Sequence, residues 1–440
     1  MKITHCYLIG VLSAIAVAVP SPAAQAQNSY KFVFGGKPES GFTQITPATA
    51  YAKETGYGFE AGTLPVAVGT DALGADKPFF FSVAEPEGNY KVTVTFGSAA
   101  APSDNTVKAE LRRLMLEKIH TDAGQSVTRS FIVNVRIPQY PGGQVRLKAP
   151  RETTQEARAW DDKLTVEFNH DDANSAVQKV EIEKVDVPTL YILGDSTVCD
   201  QSGEPFNSWG QMLPRWFNTS IAVANHAESG ETLASSIGER RFAKVYSLLK
   251  PGDYVIMQFA HNDMKNNAPG ALDKYKSDYV NVIGEIRAKG ATPIIVAAME
   301  RSNGANQDTL KGYPAAALET AAAQKVAAID LHSMSQEFYR ALGPDVKKAF
   351  ADGVTHHNNY GSYELAKMIV MGIKADKVEI AKYIVDDFKD FDPAKPDPMA
   401  TFKMAASPGR NAPRPLGDEA TFGAGTGAGT NAAPAKPAAQ

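Results

Sequence analysis

The spacing of apolar positions divides the chain into two regimes. From Gln27 to Val187, short runs of alternating apolar and polar residues are separated by Gly, Pro, Asn and Asp; examples are Tyr30–Phe34, Phe79–Val83, Tyr90–Phe96, Thr106–Leu111, Arg129–Ile137, Leu164–Phe168 and Val177–Val185. A period of two with turn residues between the runs predicts antiparallel sheets, and this many short strands predicts a β-sandwich. After Val187 the period changes. Thr189–Leu193, Ile221–Asn225, Tyr254–Phe259, Thr292–Ala298 and Val326–Asp330 are near-continuous apolar runs, as expected of parallel strands covered on both faces. Amphipathic stretches of helix length lie between and after them, near Trp209–Phe217, Glu239–Leu249, Lys274–Lys289, Pro314–Gln324, Met334–Leu342 and Tyr360–Ala381. This alternation predicts an α/β domain built on a parallel sheet.

Both ends depart from these patterns. Lys2 precedes an apolar stretch from Tyr7 to Val19 and then Ala24-Gln25-Ala26, which reads as a secretory signal peptide cleaved after Ala26, its apolar core being shorter than the ~20 residues a membrane span needs. From about Met399 the chain is rich in Ala, Gly, Pro and Thr with few large apolar residues, and a flexible extension is expected. The expected organisation is a signal at 1–26, a β-sandwich at 27–187, an α/β domain at 188–385 and a low-complexity tail at 386–440. A length of 440 residues fits two domains, 43% hydrophobic and 21% charged residues are ordinary globular values, and a net charge of -4 gives no footprint for nucleic acid. The expected location is secreted or periplasmic, with no membrane association after cleavage; oligomeric state stays open. Cys6 lies in the signal, leaving Cys199 alone, so no intramolecular disulfide is expected and Cys199 reads as a packing residue.

Four clusters carry candidate chemistry. They are Gly194-Asp195-Ser196 at the end of the first α/β strand, Asn225 through Gly230, Ala260-His261-Asn262-Asp263, and Asp352 through Asn358. A serine hydroxyl needs a base to take its proton, and the base needs a carboxylate to orient it. Ser196, His356 and Asp352 can fill those roles, with His357 as a rival base. An oxyanion needs converging donors, and the Ser196 N–H, the Gly230 N–H and the Asn262 amide can supply them. Taken singly, each cluster could be a turn or a helix cap. Their order and their shared position at strand ends, where open α/β sheets place their sites, favour the catalytic reading. Residue 198 is Val, so the Gly-x-Ser-x-Gly elbow is absent and a different serine-hydrolase fold is expected. A zinc site drawn from His226, His261, Asp263, His356 and His357 lacks both a His-Glu-x-x-His helix and a cysteine cluster; no metal or cofactor is expected.

These blocks resemble those of the SGNH (GDSL-like) hydrolases. The longer stretches Gly194-Asp195-Ser196-Thr197-Val198, Ser208-Trp209-Gly210-Gln211-Met212, Ala222 through Gly230, Gln258 through Asp263 and His356 through Gly361 resemble the rhamnogalacturonan acetylesterase family. Glu54 through Phe59 and Trp160 through Leu164 look like patches of the β-rich module that precedes the esterase domain in some bacterial members. The resemblance implies a flavodoxin-like three-layer fold, with Ser196 as nucleophile, Gly230 and Asn262 as oxyanion donors, and His356 as base supported by Asp352. It further implies a secreted carbohydrate esterase that deacetylates pectic polysaccharide, with acetylated plant cell-wall polysaccharide as its partner. Alternatives are an SGNH esterase or lipase acting on other acyl esters such as acetylated xylan, and a carbohydrate-binding protein whose esterase domain is inactive. Two departures stand out. Asp352 and His356 are four apart where the family has three, and Ala260 stands where Gly is usual.

Overall fold

The computed structural model describes residues 29–408. The expected signal peptide and the tail beyond Pro408 lie outside the described residues. Besides a two-stranded ribbon, Gln139–Tyr140 with Gly143–Gln144, the strand-rich N-terminal region forms two large sheets. One has seven strands, including Ser29–Phe34, Gly88–Phe96, Val127–Val135 and Val177–Val185; the other has five, Tyr57–Phe59, Phe79–Ala84, Ser103–Ala109, Arg113–Thr121 and Lys163–Asn169. Along Gly88–Phe96 the buried positions are Tyr90, Val92, Val94 and Phe96, each flanked by a less buried residue, which is the period of two made physical. These side chains share one core with Phe59, Phe79, Phe81, Val83, Val166 and Phe168 of the other sheet. Burial of each such ring contributes on the order of 1.5–3 kcal/mol.

The five-stranded sheet shows no such alternation in Lys163–Asn169, where every residue is buried. Its second face is covered too, and the residues there are polar: Lys108, Glu167 and Asn169. The cover is partly the segment after residue 386. Lys108 Nζ donates to Ala405 O and to Ser407 Oγ at 2.7 Å each, Asn169 Nδ2 donates to Ala406 O at 2.7 Å, and Ser407 Oγ donates to Glu167 at 2.8 Å. Met399, Phe402 and Met404 pack against the α/β core. The expectation of a flexible tail from residue 386 is therefore corrected: residues 386–408 form a strap from the α/β domain to the β-rich region.

The α/β domain holds five parallel strands, β1 (Thr189–Gly194), β2 (Ala222–Asn225), β3 (Tyr254–Gln258), β4 (Thr292–Val296) and β5 (Ala327–Ile329), in the order 2-1-3-4-5. This is the flavodoxin-like order, which leaves a crevice at the carboxyl ends of β1 and β3 where the order reverses. Alternate residues point to opposite faces. Leu190, Ile192, Ile256 and Ile294 pack with the helices Leu331–Leu342 and Asn359–Ala375, whereas Tyr191, Leu193, Val255, Met257 and Ile295 pack with Ala271–Ala288 and Tyr313–Gln324. Three layers result.

The expected helices exist with altered limits. The stretch near Glu239–Leu249 forms the helix Arg241–Leu248, and a short helix that was not expected, Leu233–Gly238, precedes it across Arg240 at φ 67°. Trp209–Phe217 is a single α-turn, Trp209–Met212, continued as a 3₁₀ turn over Leu213–Trp216. Tyr360–Ala381 ends as an α-helix at Ala375.

Candidate active site

The nucleophile turn follows directly from β1. Asp195 Oδ1 accepts the Thr197 N–H at 2.9 Å and the Thr197 hydroxyl at 2.7 Å, so the Asp side chain folds the chain around Ser196. Gln258 at the end of β3 donates to Thr197 Oγ1 at 2.9 Å and accepts from Trp209 Nε1 at 2.9 Å. Ser208 caps the turn that carries Trp209 and also donates to Val198 O at 2.8 Å. At Gly210 a Cβ would stand 2.2 Å from Val198 O, so only glycine lets this turn approach the nucleophile turn so closely.

His356 and Asp352 meet Ser196 from a loop that follows the 3₁₀ turn Gly343–Ala349. His356 Nε2 lies 2.8 Å from Ser196 Oγ, and His356 Nδ1 lies 2.7 Å from Asp352 Oδ2. Asp352 Oδ1 accepts the N–H groups of Val354, Thr355 and His356 at 2.9, 2.8 and 3.0 Å. The extra residue in this block is thus absorbed by a turn wrapped around one carboxylate oxygen, with Gly353 at φ 72° making the bend. Partial burial opposes the Asp352 charge, but the Val354 N–H, the His356 ring and the other two N–H groups bring its pKa down to about 2. A carboxylate so held stays ionised and acceptor-only, which keeps a proton on His356 Nδ1 and leaves Nε2 free to accept one from Ser196.

His357 goes elsewhere. It is buried, its Nε2 lies 2.9 Å from Tyr339 OH, and its ring packs 4.1 Å from that of Phe350. Burial, reinforced by His261 and His356, lowers its pKa to about 3. Cys199 is also buried, and burial pushes its thiol up, away from thiolate chemistry.

The remaining two predicted residues sit on adjoining loops. Gly230, at φ 77°, occupies the loop after β2. That loop is tied to the nucleophile turn by Glu228 N–H to Gly194 O at 3.1 Å and by a 3.3 Å contact between the Ser229 hydroxyl and the Cys199 thiol. Asn262, after β3, donates through Nδ2 to Glu231 O at 2.9 Å and accepts from Lys265 at 2.6 Å; the second Nδ2 hydrogen is left over. Among the described residues, neither the Ser196 nor the Gly230 N–H donates to a protein acceptor. The zinc candidates do not converge. The grouping of possible ligands among the described residues is Glu300, Asp308 and His332, and Glu300 is already engaged by Thr309, Arg301 and His332.

The β-rich region adds what the sequence did not show. A loop between its strands carries Lys148 and Arg151 onto the Gly230 loop: Lys148 Nζ and Arg151 Nη2 each donate to Ser229 O at 2.9 Å. Arg151 also pairs with Glu228, and Lys148 with Glu231 at 2.5 Å. The only local hint is a mixed-charge cluster, Arg146 to Arg158, in a segment without strand alternation.

A serine, an imidazole and a carboxylate hydrogen-bonded in series at the switch point of a parallel sheet, with free N–H groups nearby, form a constellation suited to acyl transfer. Residues 192–362 match the model of the GDSL-like Lipase/Acylhydrolase family. The α/β domain belongs to that family, and the protein is a carboxylic ester hydrolase. The chain is similar to the "Uncharacterized esterase YxiM" of Bacillus subtilis, 27% identical over 371 residues that cover 78% of this chain and 90% of that protein. It is also similar to "Rhamnogalacturonan acetylesterase RhgT" of the same organism, 29% identical over 217 residues covering 44% of this chain and 94% of that one. The solved structure of YxiM aligns with 80% of this chain and 99% of its own, at 24% identity and a TM-score of 0.44.

Proposed function

We propose that this protein removes acetyl groups from pectic polysaccharide, with the rhamnogalacturonan backbone as substrate, through an acetyl-serine intermediate. The observation that carries the mechanism is the unbroken hydrogen-bond series Ser196, His356, Asp352. Ser196 Oγ attacks the acetyl carbonyl carbon while His356 Nε2 takes its proton. The oxyanion rests on the Ser196 N–H, the Gly230 N–H and the free Asn262 amide hydrogen. Collapse of the tetrahedral species expels the sugar hydroxyl, which receives the proton from His356. Water then attacks the acetyl-enzyme under the same base, releasing acetate and restoring Ser196.

The substrate assignment draws on the relative named as a rhamnogalacturonan acetylesterase, 94% of which this chain covers. The strand-rich region is read as a β-sandwich accessory module, and the Ala24-Gln25-Ala26 pattern as the mark of export from the cytoplasm. The mechanism is tested with Ser196→Ala and a chromogenic acetyl ester. The variant is expected to lose about three or more orders of magnitude in kcat, as loss of a triad nucleophile does. Equal turnover by wild type and variant would overturn the mechanism.

A further inference from the structure

The cations Lys148 and Arg151 come from the β-rich region, yet both end on a single carbonyl, that of Ser229. Ser229 O and the Gly230 N–H belong to the same peptide unit. Such a unit is planar and trans, so its C=O and N–H point in opposite directions. Fixing Ser229 O therefore fixes the direction of the Gly230 N–H, which donates to no protein group among the described residues. Gly230 has a left-handed φ, and a Cβ built there would meet only Lys148 Nζ, at 3.8 Å. Its backbone would otherwise be free to rotate, because a glycine penalises few conformations.

We infer that Lys148 and Arg151 are positioning residues that lock and polarise the Ser229–Gly230 peptide as an oxyanion donor, so that the β-rich region completes the active site. The inference rests on the reading of Gly230 as an oxyanion donor.

Two features support the assignment. The cations are themselves held: Glu231 pairs with Lys148, Glu228 with Arg151, and Glu228 also accepts the Ser229 N–H at 2.7 Å. Asn262 is anchored on Glu231 O, so the short segment from Glu228 to Glu231 aligns both expected donors at once. Positive charge at the carbonyl end of a peptide also withdraws electron density from its N–H, making it a stronger donor to an anion, and that gain grows as the oxyanion forms. The effect belongs in kcat rather than KM, because the ground-state carbonyl carries little of the charge that the transition state develops.

The test uses the full chain with Lys148→Met, Arg151→Met and the double variant, assayed on a chromogenic acetyl ester, with the folded fraction measured in each sample. The double variant is expected to lose about 10–100-fold in kcat per folded molecule while KM stays within about two-fold, in line with the cost of impairing one oxyanion donor. Lys148→Arg, which keeps a charge able to reach Ser229 O, is expected to lose less than Lys148→Met. Wild-type kcat per folded molecule overturns the inference, as does an effect confined to KM, which would make the cations substrate contacts. If the double variant does not fold, the single Lys148→Met carries the test, with a loss of about three-fold or more expected in kcat and no change overturning it. Ser196→Ala run beside them separates the two levels. An inactive Ser196→Ala with a fully active double variant refutes the positioning role alone, and an active Ser196→Ala refutes the reading of the site on which it rests.

Discussion

His356 and His357 are neighbours in the chain with opposite surroundings: one touches Ser196 Oγ, the other is buried against Phe350 and Tyr339. Because burial first, and the charges of His261 and His356 next, lower the His357 pKa to about 3, the unfolded chain binds a proton at this position below about pH 6.5 that the folded chain refuses. His357 therefore withdraws stability as pH falls from 6.5 toward 3. His357→Gln keeps a polar partner for Tyr339 and removes the titration. Its urea midpoint is expected to rise relative to wild type between pH 7 and pH 4, and a difference independent of pH would contradict this. Asp352, held at about 2, keeps its charge throughout that window. The residues of the series were readable from the sequence because serine fell at a strand end, and aspartate and histidine followed it, just ahead of the last helix, in a chemically sensible order. The choice between the two histidines followed only from register, since sequence spacing carries no information about which ring a loop turns inward. The wrap of Asp352 Oδ1 around three N–H groups explains how a four-residue spacing serves where three is usual.

The strand-ended turns depend on close backbone approach. In Gly210→Ala the new methyl would lie 2.2 Å from Val198 O, a backbone atom that cannot swing aside. The expected result is a loss of about 1–3 kcal/mol in unfolding free energy, with a fall in kcat as the nucleophile turn shifts. Gly238→Ala is the control, since its Cβ meets nothing within 4 Å; unchanged stability for both would show that the contact is unimportant. The parallel strands were visible as apolar runs because both of their faces are buried. The helix Leu233–Gly238 was not, because it is only six residues long and its two serines and its glycine are weak helix formers. Nor was Arg113–Thr121 read as a strand: it starts after a turn in which Glu110 and Arg112 have positive φ, and its buried Arg113 pairs with Asp200 at 2.7 Å instead of filling an apolar face.

The two regions are joined by polar contacts that composition conceals. Lys108 is buried, and burial lowers its pKa, yet it holds Ala405 O and Ser407 Oγ of the strap and lies near Glu204. Removing one member of such a buried network leaves its partners unsatisfied, at a cost of about 3–5 kcal/mol. Lys108→Met is expected to lower the urea midpoint and to open residues 386–408 to limited proteolysis, whereas a strap cleaved no faster than in wild type would contradict the role given to it. The strap looked like part of a flexible tail because it has few large apolar residues and no period, and because much of its anchoring uses backbone carbonyls, which every residue possesses. The contribution of Lys148 and Arg151 escaped for a similar reason: their target is the Ser229 carbonyl, some eighty positions further along the chain.

The substrate and the chemistry meet in acetate release from acetylated rhamnogalacturonan, measured beside acetylated xylan and acetylated homogalacturonan, with wild type and Ser196→Ala. The expected result is release by the wild type that is fastest on rhamnogalacturonan and abolished in Ser196→Ala. Release from xylan alone, or release from rhamnogalacturonan that persists in Ser196→Ala, would contradict the account.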